Sequence, residues 1–148
     1  MTSLIKKKTS FKIKTKLRNK DSRGSILSIC DIPCKNVSII YCKKNTIRSN
    51  HFHKKDYHIM YVLEGEIDYF YREINSTKLK YLKVKKDELI FTPPNEIHST
   101  FFPKNTKLIV SSKNPRDQAT YEKDTTRVEI ITKSNIKELL KKNERKKN

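Results

Sequence analysis

Between Gly24 and Thr132 the chain is a succession of short apolar runs, and these constrain its fold more than any other feature. GSILSIC, NVSIIYC, HIMYVLEG, EIDYFYRE, LKYLKVK, ELIFT, IHSTFF, TKLIVSS and RVEIIT are rich in β-branched or aromatic residues and bounded by Asn, Asp, Lys or Pro. Such residues suit a pleated, half-buried surface, so this many runs at close spacing predict a β-sandwich or barrel. Glycine occurs only as Gly24 and Gly65, so the turns fall to Asn, Asp, Ser and Pro. In IDYFYRE, Ile67, Tyr69 and Tyr71 share one face of a strand while Asp68, Phe70 and Arg72 share the other. Aromatics on both faces mean that neither is simply solvated.

The ends read differently. Residues 1–20 form a basic segment in which FKIKTKLR alternates Phe11, Ile13 and Leu17 with Lys12, Lys14, Lys16 and Arg18, an edge strand guarded by lysines. Residues 21–132 are the expected barrel. Residues 133–148 hold a short helix opened by a capping box at Asn135 and Glu138, followed by a basic tail. It is the one helix expected.

At 148 residues the chain is one domain. Its 34 basic against 16 acidic residues give a net charge of +18, yet only seven of the 34 are Arg. Nucleic-acid readers favour the forked guanidinium, so the Lys-rich surface points away from that partner, and the Lys runs read as solvated tails. No apolar stretch approaches the roughly 20 residues that span a bilayer, and MTSLIKKKTSFK lacks a signal-peptide core. A soluble, cytoplasmic protein is expected. Cys30, Cys34 and Cys42 include no Cys-x-x-Cys pair and read as small buried apolar residues. The Lys-studded strand and the outer aromatics near Tyr61 and Phe101 predict a homodimer that covers them.

All four histidines lie in two groups, His51, His53 and His58, then His98. On a strand, His51 and His53 point to the same side. A turn through Lys54 to Tyr57 lets His58 begin a returning strand, and His98 comes after the turn at Pro93-Pro94-Asn95. The spacing puts four imidazoles within reach of one point.

These residues resemble the two motifs of the cupin superfamily. The first runs His-x-His, a short gap, Glu, six residues, Gly, and is matched from His51 to Gly65 with His58 in place of the Glu. The second is matched in DELIFTPPNEIHSTFF at Pro93 and His98, with Asp87, Asn95 and Phe102 departing from it. Asp87 and Asn95 stand where the family has turn glycines, a role that Asp and Asn can serve. The resemblance implies an all-β double-stranded β-helix, a jelly-roll barrel, with one divalent transition metal held by His51, His53, His58 and His98. Zinc, iron, nickel, manganese and copper all remain open. Four neutral imidazoles would cancel none of the ion's charge and leave it more Lewis acidic than a site with a carboxylate.

A narrower likeness extends over DSRGSILSI, IRSNHFHK and RDQATYEKDTTRVE. These segments resemble cupins of nucleotide-sugar and polysaccharide biosynthesis, especially the 3,4-ketoisomerases acting on dTDP-4-keto-6-deoxyglucose, with Asp21, Arg23, Gly24, Ser25, Arg48, His51, His53 and Lys54 at matching positions. In that family the two histidines act as acid and base without a metal. The resemblance implies an isomerase or epimerase of a nucleotide-linked keto sugar, in which His51 or His53 is the base and Arg48 pairs the diphosphate. If the two histidines bind metal instead, their lone pairs are committed and a tyrosine must move the proton. Tyr69 is the candidate for that step, with Tyr41 and Tyr61 as candidate substrate contacts, each against a plain packing role. An iron-dependent oxygenase and a non-catalytic sugar- or metal-binding module fit the same ligand set.

Overall fold

The computed structural model describes residues 2–145. In chain order the elements are α1 (Thr2–Ile5), β1 (Phe11–Ile13), β2 (Lys16–Asp21), β3 (Gly24–Ser28), β4 (Asn36–Cys42), β5 (Thr46–His53), β6 (His58–Glu64) and β7 (Glu66–Glu73). They continue as β8 (Lys80–Lys85), β9 (Leu89–Thr92), β10 (Glu96–Phe102), β11 (Thr106–Ser112), α2 (Gln118–Asp124), β12 (Thr125–Arg127) and α3 (Ile136–Arg145). Ten of the strands form two antiparallel five-stranded sheets, in the orders β1-β9-β6-β11-β4 and β12-β5-β10-β7-β8. β2 and β3 pair only with each other, as a separate hairpin.

Alternation along each strand supplies the core between the sheets. Met60, Val62, Ile90, Leu108 and Val110 from the first sheet meet Ile67, Tyr69, Tyr71, Val84 and Phe102 from the second. The opposite face of β7 is equally apolar: Phe70 packs with Phe101, Ile131 and Ile136 under α3. The two-sided aromatic pattern of IDYFYRE thus reflects two separate cores. The outer face of the first sheet carries Ile59, Tyr61, Leu89 and Phe91, covered by Leu4, Ile29, Cys30 and Ile32. Tyr61 and Phe101 are therefore covered by their own chain and are not themselves a surface for a partner. Of the three cysteines, Cys42 is buried, Cys30 half-buried and Cys34 exposed.

Three further expectations are corrected. FKIKTKLR is not one strand: β1 adds to the edge of the first sheet through β9, whereas Leu17 belongs to the exposed hairpin. RVEIIT is strand only to Arg127, because Asn50 takes over the hydrogen bonding of the residues beyond it. Asn50 Oδ1 accepts from the N–H groups of Ile130 and Ile131, and its Nδ2 donates to the carbonyl of Ile131. Helix α2 was not foreseen. Asp117 caps it by accepting from the N–H of Thr120 at 3.0 Å. α3 starts as expected, but Asn135 faces backward, accepting from the N–H of Thr132 and donating to the carbonyl of Ile130.

The turns confirm the role given to non-glycine residues. Asp87 and Asn95 adopt φ of 66° and 58°, left-handed values that Asp and Asn tolerate best after glycine. Gly65 at φ 82° is required twice over, because a Cβ there would lie 2.4 Å from Thr106 Oγ1.

Candidate functional site

Ser49 and Asn50 both take positive φ, 70° and 54°, and make a β-bulge in β5 opposite the step from His98 to Ser99. The bulge sets Asn50 outward and brings His51 directly across from His98. His53 lies two residues on, paired with Thr125 of β12. The turn after β5 is fastened by Asp124, whose carboxylate accepts from the N–H groups of Lys55 and Asp56, both at 2.9 Å. That turn carries the chain across to the other sheet, where His58 opens β6.

The rings form a compact group. Centroids of His51 and His53 lie 4.6 Å apart, of His51 and His98 4.8 Å, and of His53 and His58 4.6 Å. One nitrogen from each of His51, His53 and His98 lies within 4.8 Å of the others. His58 lies beside that trio without joining it. Its Nε2 is instead 3.0 Å from Asp56 Oδ2. A second group, His53, Asp56 and Asp124, meets the same spacing, but both carboxylates already accept backbone N–H groups, Asp56 from Asn114.

Hydrogen bonding fixes which nitrogens are free. His98 Nδ1 is 3.2 Å from the carbonyl of Glu96 and must donate to it, leaving its Nε2 with a lone pair. Thr125 donates its hydroxyl hydrogen to the carbonyl of Tyr121 at 2.6 Å, so it accepts from His53 Nδ1 at 3.2 Å. His53 Nε2 is then an acceptor, and it is buried with no partner. An unsatisfied buried lone pair is costly, and here it sits beside two further imidazoles. The arrangement, with an outer partner setting the tautomers of His53 and His98, is that of imidazoles prepared to bind a metal.

Electrostatics agree. Burial first, then the neighbouring imidazoles and Arg127, pushes His51 down to about 2. Burial first, then His58, His98 and Arg116, pushes His53 down to about 3 against the opposing charge of Asp56, and burial leads in pushing His98 down to about 4. All three are neutral at pH 7, so the 3.8 Å approach of His53 Nδ1 to Asp124 is no ion pair. Burial acts to raise Asp56, but hydrogen bonds from His58 and Asn114 outweigh it and hold the carboxyl below its ordinary value. As an acceptor, that carboxylate keeps the His58 proton on Nε2 and leaves Nδ1 with the lone pair.

A small cavity of about 80 Å³ is lined by His51, His58, His98, Arg48, Arg116 and Tyr121, with an apolar floor that includes Met60 and Phe102. Arg48 is thus on the cavity wall. The three candidate tyrosines are not. Tyr41 points to solvent, Tyr61 donates to Asp87 on the far side of its sheet, and Tyr69 is fully buried with its hydroxyl held by Ser10 at 2.9 Å and Thr92 at 2.8 Å. Their place is taken by Tyr121 of α2, whose ring lies 6.1 Å from His51 and 5.4 Å from His53. Arg116, 5.8 Å from the centre of that ring, has a buried Nη1 without a partner. Sequence reasoning missed Arg116, Tyr121, Asp56 and Thr125. Asp117 three residues before Thr120 was the available signal for α2.

No protein-family model matches the chain, and no curated protein matches it significantly. Solved structures do. The chain is similar to a double-mutant form of QdtA, a 3,4-ketoisomerase from Thermoanaerobacterium thermosaccharolyticum solved with TDP, at 25% identity over 81% of this chain and 88% of that one, TM-score 0.65. It is similar to a 3,4-ketoisomerase from Helicobacter canadensis at 17% identity, covering 80% and 90%, TM-score 0.66. It also matches WlaRB, a TDP-quinovose 3,4-ketoisomerase from Campylobacter jejuni, at 19% identity, covering 78% and 96%, TM-score 0.65. The fold is therefore the all-β cupin jelly roll with a short C-terminal helix, and its structural neighbours are sugar 3,4-ketoisomerases.

Proposed function

We propose that this chain is an isomerase of a nucleotide-linked keto sugar, of the TDP-4-keto-6-deoxyglucose type, in surface polysaccharide biosynthesis. The observation that carries the reading is a cluster of three imidazoles, His51, His53 and His98, of which His51 and His98 line a cavity that also holds two arginines and a proton-bearing phenol. It works as a cytoplasmic homodimer; no helix among the described residues is long and apolar enough to cross a membrane.

His51, His53 and His98 are the residues that would hold one divalent transition metal, and the unpartnered Nε2 of His53 fits that role. Such an ion supplies Lewis acidity at a ketone or enediol oxygen. The remaining steps belong to the chain. Moving a carbonyl from C4 to C3 requires a proton to leave C3 and one to arrive at C4, through an enediol. His58 is the base: Asp56 holds its Nε2–H, and its ring lines the cavity with Nδ1 left to accept. Tyr121 is the second proton carrier, in the role first given to Tyr69. Arg48 and Arg116 at the cavity wall receive the diphosphate. The apolar floor limits the water that could compete for the enediol.

The competing reading keeps His51 and His53 as acid and base with no metal. Incubation with TDP-4-keto-6-deoxyglucose in D2O, then proton NMR, tests the activity: deuterium at the ring carbons flanking the moved carbonyl is expected, and an unchanged substrate spectrum refutes it. Metal content of protein purified without chelator separates the two readings, one equivalent against none.

A further inference from the structure

Ser10 reaches the barrel interior from the sheet edge. β1 pairs with β9 in the register Phe11 to Phe91, so the residue before β1 arrives at the level of Thr92, the last residue of β9. There it is buried together with Tyr69, Thr92 and Glu96. The Ser10 N–H is shared between Glu96 Oε1 and Oε2, 3.0 Å from each, and the Ser10 hydroxyl donates to Oε1. With that hydrogen spent, Ser10 Oγ accepts from the Tyr69 hydroxyl at 2.9 Å, and the Tyr69 oxygen accepts from Thr92 at 2.8 Å. The four groups form a one-way chain that runs from Thr92 through Tyr69 and Ser10 and ends at the Glu96 carboxylate.

Burying a carboxylate is costly even when it is hydrogen-bonded, and an apolar side chain would fill the same space without that cost. The position of Glu96 supplies a reason for it. Glu96 opens β10 directly after Asn95, whose φ of 58° turns the chain and whose N–H donates to the carbonyl of His53 at 2.7 Å. Two residues on stands His98, and the carbonyl of Glu96 is the acceptor for His98 Nδ1–H at 3.2 Å. Tyr69, in the middle of the chain, lies with its ring parallel to that of His98 within 10°, the centroids 6.0 Å apart. The network therefore meets His98 twice, at Nδ1 through the Glu96 backbone and at the ring face through Tyr69.

We propose that Glu96, clamped by Ser10, is a positioning residue: it fixes the peptide that sets the tautomer of His98 and so keeps His98 Nε2 directed at the point shared with His51 and His53. A contact of 3.2 Å is at the long end for an N–H donor. If the Glu96 peptide could turn away, the His98 proton would be free to move to Nε2 and the lone pair offered to the trio would be lost. The Ser10 N–H and hydroxyl hold the Glu96 side chain and with it that peptide. The Tyr69 hydroxyl stands one step further off. It donates to Ser10, so its loss leaves both Ser10 contacts to Glu96 and the ring face beside His98 in place. Residues 10 and 96, rather than 69, therefore carry the effect, and the docking of the segment before β1 is part of the site.

The inference deepens the reading of His51, His53 and His98 as metal ligands and rests on it for one of two readouts. Cobalt(II) affinity is measured by competition with a chelator. Long-range proton–nitrogen NMR of metal-free, 15N-histidine-labelled protein reads the His98 tautomer, its signal assigned with His98→Gln. Wild type should show His98 as a single Nδ1–H tautomer, and Glu96→Ala a mixture of both with cobalt affinity lowered about 10- to 100-fold. Glu96→Gln, whose amide oxygen still accepts from Ser10, should stay within about threefold of wild type. Tyr69→Phe should leave both readouts unchanged. Circular dichroism checks that each variant is folded; if Glu96→Ala is not, Ser10→Ala carries the same test, with a loss of about 10-fold. A single Nδ1–H tautomer and wild-type affinity in the folded variant overturn the positioning role. Wild type that takes up no cobalt overturns the metal reading, and the His98 tautomer then decides the positioning role alone.

Discussion

Acidifying the chelator-treated protein from pH 7.5 to 5 should destabilise it far more than an ordinary small domain. The sign comes from the three imidazoles. His51, His53 and His98 sit near 2, 3 and 4 in the folded state, against 6.5 as the ordinary value. Between pH 6.5 and about 4 the unfolded chain takes up protons that the folded chain refuses, so stability falls as pH falls. pH 5 lies 1.5 units below the 6.5 of the unfolded imidazoles, which costs about 2 kcal/mol each and about 6 kcal/mol for the three. That is comparable with the whole stability of a typical domain, about 5–15 kcal/mol. Glu96 offsets part of it, because burial raises its carboxyl, and it binds its proton more readily folded than unfolded. Asp56, Glu66 and Glu88, all lowered, add to the loss as pH approaches the ordinary carboxylate range, at the acidic end of this window. Urea unfolding of wild type and His98→Gln at pH 7.5, 6 and 5 measures the effect. The pH-dependent loss should shrink by about a third in the variant, whatever the substitution costs at pH 7.5. Stabilities at pH 7.5 and 5 that agree within about 1 kcal/mol would refute the neutral, dry imidazole cluster.

Thr125→Val removes the acceptor that fixes His53 Nδ1–H, and metal affinity by competition with a chromogenic chelator should fall about 10- to 100-fold. His58→Ala should leave that affinity close to wild type, because His58 lies outside the trio, while turnover of the keto sugar drops at least about 100-fold; a lost metal with His58→Ala would restore the four-ligand site. Tyr69→Phe deletes a hydroxyl bonded to Ser10 and Thr92 and should cost about 1–2 kcal/mol in chemical denaturation without a selective effect on kcat. Gly65→Ala should cost more than about 2 kcal/mol, since strain at φ 82° adds to the clash with Thr106.

Much of the barrel was legible because period-two alternation is local: a residue's face on a strand depends only on its immediate neighbours. The same held for His51 and His53, two apart on β5, and for the turn roles of Asp87 and Asn95, where the side chain itself supplies the tolerance of positive φ. Features that depend on register across sheets were not legible. The bulge at Ser49 and Asn50 sets His51 opposite His98, and no local pattern announces it. Nor could spacing reveal that Asp56 would draw His58 out of the imidazole group, since the two residues meet only once the turn is clamped by Asp124 from α2. The tyrosines show the limit most plainly. Tyr41, Tyr61 and Tyr69 carry the right functional group on the right kind of strand, yet their hydroxyls lead to solvent, to Asp87 and to Ser10. Tyr121 reaches the cavity because a capped seven-residue helix folds over the barrel mouth. The sequence by itself determined which residues could do chemistry and which strands would carry them; tertiary structure decided which of them face one another, because facing depends on partners tens of residues away.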